Sequence, residues 1–295
     1  QARGRRGKRH MSTCTTLTIL SENTSGPRRG VLGEHGWAVL VQRGAFRLLF
    51  DTGAGYVLLN NAGRMGQDLG RLDGIALSHG HNDHTGGLAD LLLLHDGGIP
   101  VHAHPEVAGP KYSVEEADDG SEERHYIALP WPVAALEAAG ARWQWLRAPR
   151  EIAEGIWLSG EIPRHTPYEH AIKRLRLREG EGWRQDEMID ELALYLRGSR
   201  GLIVLLGCAH RGLINTIEHA RRVTGIADVQ AVVGGTHLVG QSREDTETAV
   251  AALQRLSPEL VGTAHCTGSR ANALIATRFG EAFRQCAAGT VLELD

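Results

Sequence analysis

The tightest constraint on this chain is the stretch Leu77-Ser78-His79-Gly80-His81-Asn82-Asp83-His84-Thr85-Gly86-Gly87, which places three histidines and an aspartate within six residues. Just before it, Gly74-Ile75-Ala76-Leu77 is a short apolar run suited to a buried strand. Just after it, Gly87 to Leu94 has the length and leucine content of a buried helix. The histidines therefore sit on a strand-to-helix loop. His79 and His81 stand two apart, so in extended backbone both side chains leave one face and can grip one ion. Asp83 and His84, where the chain turns into the helix, point elsewhere and suit a second ion close by. Gly80 lets a ligand approach the backbone, and Thr85-Gly86-Gly87 permits a tight entry into the helix.

His-x-His-x-Asp-His is the signature of the metallo-β-lactamase superfamily, which the chain resembles from about Leu17 onward. Three later motifs, Gly207-Cys208-Ala209-His210-Arg211-Gly212, Gly234-Gly235-Thr236-His237-Leu238 and Thr263-Ala264-His265-Cys266-Thr267-Gly268, look like the branch named after a methanopterin-pathway dihydropterin phosphate synthase. Most members of that branch are called metal-dependent hydrolases. The resemblance implies an α/β fold, a four-layer αββα sandwich with two mixed β-sheets. It also implies two metal ions, the first on His79, His81 and His210 and the second on Asp83, His84 and His265. Nitrogen-rich ligation with a carboxylate suits Zn²⁺, with Mn²⁺ and Fe²⁺ as alternatives. Asp51, in Asp51-Thr52-Gly53, is expected beneath the metal loop, orienting a metal-bound histidine through its other ring nitrogen.

One departure stands out. The superfamily usually places an aspartate that bridges the metals where this chain reads Gly207-Cys208-Ala209-His210. Either Cys208 or His210 takes that region over, or the second metal is held less tightly; Asp190 is a distant candidate. The chemistry implied is metal-activated water, because Zn²⁺ lowers the pKa of bound water to about 7. Asp83 and His237 are the expected catalytic side chains. His237 is not needed to complete the ligand count and suits a proton donor or an oxyanion contact, the alternative being a buried histidine bonded to backbone.

Along the chain, Thr15 to Leu20 opens the fold as a strand, and Gly36 to Val41 with Phe46 to Phe50 reads as a hairpin. Ile99 to Ala103 is another strand; it leads to His104, a candidate pocket wall, whereas His102 reads as structural. The polar segment from Glu106 to Pro132 is too acidic for a core element. It is expected to be an insertion bordering the site, with Tyr112, His125, Tyr126 and Trp131 available to substrate. Arg142 to Leu146 and Ile156 to Ser159 continue the β pattern. A second polar connection, from Gly160 to Asp190, carries Tyr168, Lys173, Arg174, Arg176, Arg178 and Trp183. Such local positive charge suits an anionic substrate, with Tyr168, Lys173, Arg174 and Arg176 as its contacts. Glu191 to Leu196 and Gly201 to Leu206 form another hairpin. Helices follow over Leu213 to Val223, Thr246 to Leu256 and Ala271 to Cys286, so that strand, histidine and helix repeat three times. Residues 12–295 read as one domain with insertions near 105–132 and 161–190.

Charge and cysteine usage bound the remaining classes. The formal charge of -3 conceals Arg3, Arg5, Arg6, Lys8 and Arg9, a basic leader or expression remnant over residues 1–11; without those five the body carries 27 basic against 35 acidic residues, or -8. That argues against a nucleic-acid-binding surface. No apolar run approaches the ~20 residues a membrane helix needs. Four cysteines without Cys-x-x-Cys pairing suggest a reducing cytoplasm, and the oligomeric state stays open between monomer and homodimer. The leading expectation is a dinuclear hydrolase of a phosphate ester or phosphodiester of a small anionic metabolite. A lactone, thioester or other carbonyl substrate, a dihydropterin phosphate synthase-like transfer, and a metal-containing ligand sensor are the alternatives.

Overall fold

The computed structural model describes residues 14–117 and 119–295, so the expected basic leader lies outside the described residues. Strand alternation explains how two large sheets come to be buried on both faces. In Ala38–Arg43, Val39 and Val41 enter one core while Ala38 and Leu40 enter another. In Leu202–Leu205, Ile203 and Leu205 join the first of these cores, whereas Leu202 and Val204 enter a third.

The first sheet has seven strands in the order Val291–Leu294, Thr15–Ser21, Ala38–Arg43, Phe46–Phe50, Gly74–Ala76, Ile99–Ala103 and Ala141–Trp145. Its opening strands pair antiparallel and the last four run parallel. A second seven-stranded sheet runs Phe283–Gln285, Leu260–Ala264, Val229–Gly235, Leu202–Leu205, Leu194–Arg197, Ile156–Leu158 and Arg150–Ala153, parallel over its first four strands. Leu17, Val39 and Phe50 of the first sheet meet Leu194, Ile203 and Val233 of the second in the central core.

Helices Leu58–Arg64, Leu88–Leu92 and Val133–Ala138 cover one outer face, and Leu213–Thr224, Arg243–Arg255 and Ser269–Phe279 cover the other. This is the expected αββα sandwich of two mixed sheets. Leu213, Ile217 and Ala220 form the buried stripe of their helix, which ends on Gly225 at φ 70°. Its first turn is satisfied from outside, as the Glu169 carboxylate accepts the Ile214 and Asn215 N–H groups at 2.7 and 2.9 Å. Among the described residues no helix is long and apolar enough to cross a membrane.

Three expectations need correction. The helix after the metal loop is two short pieces, Asn82–Thr85 and Leu88–Leu92, with Gly86-Gly87 between them. The last helix stops at Phe279, where Gly280 takes φ 53°, and Phe283–Gln285 is an edge strand rather than helix. The two polar insertions, expected as connections without regular elements of their own in the core, contain strands. They pair with one another in a third sheet, ordered Gly182–Gln185, Leu175–Glu179, Lys111–Glu116 and Glu122–Tyr126.

Lys111 anchors this third sheet from within. Its ammonium is 1% exposed and donates to Asp186 Oδ2 at 2.8 Å and Asp190 Oδ1 at 2.9 Å. The other Asp190 oxygen accepts the Gly80 N–H at 2.9 Å, inside the histidine loop. Asp190 is thereby committed to structure and is not a bridging candidate. Replacing Lys111 by Met leaves two carboxylates buried without their cation, so we expect a loss of about 3–5 kcal/mol in denaturant unfolding; an unchanged midpoint would contradict this anchoring.

Candidate metal centre

The histidine motifs all lie at the carboxyl ends of parallel strands. Gly74–Ala76 leads into His79–His84, while Leu202–Leu205, Val229–Gly235 and Leu260–Ala264 lead to His210, His237 and His265 respectively. Four of the six non-glycine residues with positive φ among the described residues stand here: Asp51 at 61°, Ala209 at 56°, His237 at 47° and His265 at 51°. Left-handed backbone at a non-glycine residue is strained and persists where its surroundings over-determine it. Here the braces are visible. Glu22 accepts the His265 N–H at 2.7 Å, and Glu191 accepts the N–H groups of His210 and Arg211. Burial pushes the Glu191 carboxyl up to about 7, even though these two donors pull the other way.

Hydrogen bonds fix where the ring protons of the centre lie. Asp51 is fully buried and accepts the Ser78 N–H at 2.6 Å, the Ser78 hydroxyl at 2.7 Å and His84 Nδ1 at 2.7 Å. Since the Ser78 hydroxyl is spent on Asp51, its oxygen accepts from His79 Nδ1 at 2.8 Å. Asn23 Oδ1 likewise takes His265 Nδ1 at 2.8 Å. In the neutral tautomer each of these three rings has used its single N–H, leaving a lone pair on Nε2. His84 Nε2 and His265 Nε2 nevertheless lie 3.2 Å apart, and Asp83 Oδ2 stands 3.2 Å from the latter and 3.8 Å from the former. Ligand-type atoms packed this closely around one space suit a bound cation.

The titration of these groups says the same. Burial opposes charge on His84, but Asp83 and Asp51 outweigh it and raise the ring to about 9. Burial also pushes Asp83 up, yet His84, His265 and His35 hold it well below the usual carboxylate range. His79, His81 and His210 are driven well below their ordinary value by burial first and then, for His79 and His210, by the neighbouring histidines. Neutral imidazoles are the form that ligates metal.

A second set of donors faces the same space. Ligand atoms of His79, His81 and His210 lie within 4.8 Å of one another. His81 Nε2 and both ring nitrogens of His210 are buried without a hydrogen-bond partner. Buried nitrogens without a partner, grouped this closely, fit a metal ion. The two expected ligand sets are thus each brought together. Cys208 places Sγ 3.1 Å from His84 Nε2.

The centre opens into a cleft of about 540 Å³. Asp83, His81, His210, His237 and His265 form its floor, and Ser113, Glu115, His125, Ile127, Arg174 and Leu175 of the third sheet overhang it. Of the expected substrate contacts, only Arg174 reaches this cleft, ion-paired with Glu115 at 2.8 Å. Lys173 is exposed and outside it. Arg176 is bonded to Gln185, while Arg178 stacks on Trp183 at 4.9 Å. Tyr168 lines a narrow recess behind His210 and His237. His104 is fully buried, capping a short 3-10 turn through Glu106 N–H and meeting Glu161 at 3.0 Å, so it is no pocket wall. His102 is structural as expected, pushed down to about 4 by burial and then by Arg150. His125 does reach the cleft, whereas Tyr112 and Tyr126 meet edge to face outside its lining and Trp131 also stands outside it. Sequence reasoning missed His35, which lies 3.2 Å from Asp83, and Asn23. Both sit on an irregular loop that carries no motif.

Residues 31–208, more than half of the chain, match the sequence profile of the metallo-beta-lactamase superfamily, and the chain belongs to that superfamily. It is 29% identical over 286 residues to the 7,8-dihydropterin-6-methyl-4-(beta-D-ribofuranosyl)-aminobenzene-5'-phosphate synthase of Methanocaldococcus jannaschii, covering 94% of this chain and 96% of that one. It also superposes on the crystal structure of Tm1679, a metal-dependent hydrolase of the beta-lactamase superfamily, with TM-score 0.79 and 28% identity, covering 94% of this chain and 98% of the other. Zn²⁺-bound PqqB from Methylobacterium extorquens shares the fold, with TM-score 0.54 and 12% identity over 94% of this chain and 99% of the other.

Because Asp51 fixes both the tautomer and the direction of His84, Asp51→Asn should weaken Zn²⁺ binding by about 10–100-fold in competition with a chelating dye. Unchanged affinity would show that Asp51 does not orient a ligand.

Proposed function

We propose that this chain is a hydrolase that uses two divalent metal ions, Zn²⁺ by donor type, to cleave a phosphate ester or phosphodiester of a small anionic metabolite. The observation that carries this reading is the convergence of buried ligand-type donors, two of them histidines whose ring nitrogens have no hydrogen-bond partner, at the floor of an open cleft. In it His79, His81 and His210 hold one ion and Asp83, His84 and His265 the other. When bound, such ions supply an acidified water and positive charge against the oxygen that gains charge.

The chain's own groups do the rest. Asp83 Oδ2, between His35 and His265 at 3.2 Å from each, orients the attacking side of the centre. His237 lines the cleft, with its ring centroid 4.3 Å from that of His210, and serves as proton donor to the leaving group. Arg174 is the one arginine or lysine among the described residues lining the cleft, and with His125 it receives the substrate's phosphate. The basic cluster expected from sequence is thereby reduced to a single side chain, which exchanges Glu115 for the substrate.

A second reading, transfer that joins a pterin to a ribosyl-aminobenzene phosphate, draws support from the similarity to the synthase along 94% of the chain. Both readings share a phosphate-bearing substrate and the same floor of donors. They differ in whether water or an organic nucleophile attacks.

The test is the initial rate on an activated phosphodiester by the zinc- or manganese-loaded protein. Wild type should turn over, His265→Ala should abolish it, and His237→Gln should lower kcat by about 100-fold or more with metal content unchanged. Arg174→Ala should raise KM. A fully metallated wild type that leaves every phosphate substrate intact would overturn the phosphoesterase reading in favour of a carbonyl substrate or the synthase reaction.

A further inference from the structure

We infer that Cys208 is a ligand shared by the two ion positions, its thiolate standing between them. The inference rests on the dinuclear reading above and goes beyond it by assigning the position that the superfamily's aspartate leaves vacant in this chain.

Placement carries the argument. Cys208 Sγ lies within 4.8 Å of ring nitrogens of His79 and His210, from the first ligand set, and of His84 and His265, from the second. Among the described residues, Cys208 alone is grouped in this way with two donors of each set. The independent sign that an ion belongs at this spot is the pair of orphaned nitrogens on His210, itself 4% exposed, two residues along the same turn.

Local backbone makes the placement obligatory. A Cβ on Gly207 would lie 2.2 Å from Ser78 Oγ, so only glycine lets the strand end press against the Ser78–Asp51 network and seat Cys208 beside His84. Ala209 then takes φ 56°, which turns the chain so that Cys208 and His210 both reach the centre.

Charge argues in the same direction. Two divalent cations side by side repel strongly in a buried site, and the six histidine and aspartate donors bring one negative charge, from Asp83. A thiolate between the ions adds a second charge where the repulsion is greatest, and sulfur has the lone pairs to bind both ions. Thiolate is moreover a preferred ligand of zinc. On binding, the Cys208 S–H bond breaks, its proton leaves to solvent, and sulfur–metal bonds form without any change of oxidation state.

Cys266 supplies the contrast. Its sulfur accepts the His237 N–H at 3.3 Å and contacts the Cys208 carbonyl at 3.5 Å, and its ligand group with Cys208 includes His265, of the second set, and no donor of the first.

The experiment titrates the chelator-stripped full-length chain with Co²⁺ and reads absorption, bound metal and electron paramagnetic resonance. Wild type should show a near-ultraviolet sulfur-to-cobalt band together with the visible cobalt bands. That band should be lost in Cys208→Ala and kept in Cys266→Ala. Metal retained after dialysis should fall from about two ions per chain to about one in Cys208→Ala and recover in Cys208→Asp, which restores a charged bridge without sulfur. The two-cobalt wild type should also give less resonance signal than twice the one-cobalt form, because a shared sulfur couples the spins. Visible cobalt bands without the sulfur band, a sulfur band that survives Cys208→Ala, or a fully additive resonance signal would overturn the shared thiolate while leaving the metal centre standing. Wild type that binds no cobalt would overturn both.

Discussion

A single buried carboxylate underlies the arrangement of the centre. Asp51 is fully buried, and what stabilises its charge is hydrogen bonding, from the Ser78 N–H, the Ser78 hydroxyl and His84 Nδ1. Hydrogen bonds to a charged acceptor are stronger than neutral ones, and in a dry site each fixes a direction as well as contributing energy. One oxygen therefore decides which nitrogen of His84 turns toward His265 and, through the Ser78 hydroxyl, which nitrogen of His79 turns toward His81. The strand end that carries Asp51 takes left-handed backbone to bring its carboxylate there.

From that point the two halves of the sandwich are tied together around the site. The Ser78 carbonyl accepts the Leu192 N–H at 2.6 Å, and the Trp37 indole donates to the Leu206 carbonyl at 3.0 Å, so each joins the first sheet's loops to the second's. Trp37 also uses its own N–H on the Asp83 carbonyl. The third sheet is fastened to the same loop from beneath through Lys111, Asp190 and Gly80. A floor of donors held by buried bonds and a roof anchored to that floor leave the cleft between them as the place where sequence can vary without disturbing the donor cluster.

Much of this was legible because short apolar strands that end in histidine leave a local signature. The His79–His84 stretch could be read from spacing, the ligand sets that add His210 and His265 came from the family resemblance, and the strands leading to the histidines were legible while two of the helices were not. The third sheet could not. Glu122–Tyr126 is exposed along its whole length and so lacks the alternation that marks a half-buried strand. The arginines misled for a related reason. Arg176 and Arg178 lie inside a strand, on the face of Tyr112 and Trp183, whereas Arg174 precedes the first paired residue and meets Glu115 on the cleft side. His102 and His104 copied the two-apart spacing of His79 and His81, but Pro105 starts a 3-10 turn that His104 caps. Asn23 and His35 reach the centre across loops far away in sequence, and nothing local marks them.

The central claim is that the two donor sets each hold an ion, side by side, at the floor of the cleft. Anomalous diffraction at the zinc edge, from crystals of the chain grown with Zn²⁺, tests it most directly. The account predicts two peaks a few ångströms apart, one bounded by His79, His81 and His210 and the other by Asp83, His84 and His265. A single peak in one set, or zinc bound only elsewhere, would contradict it.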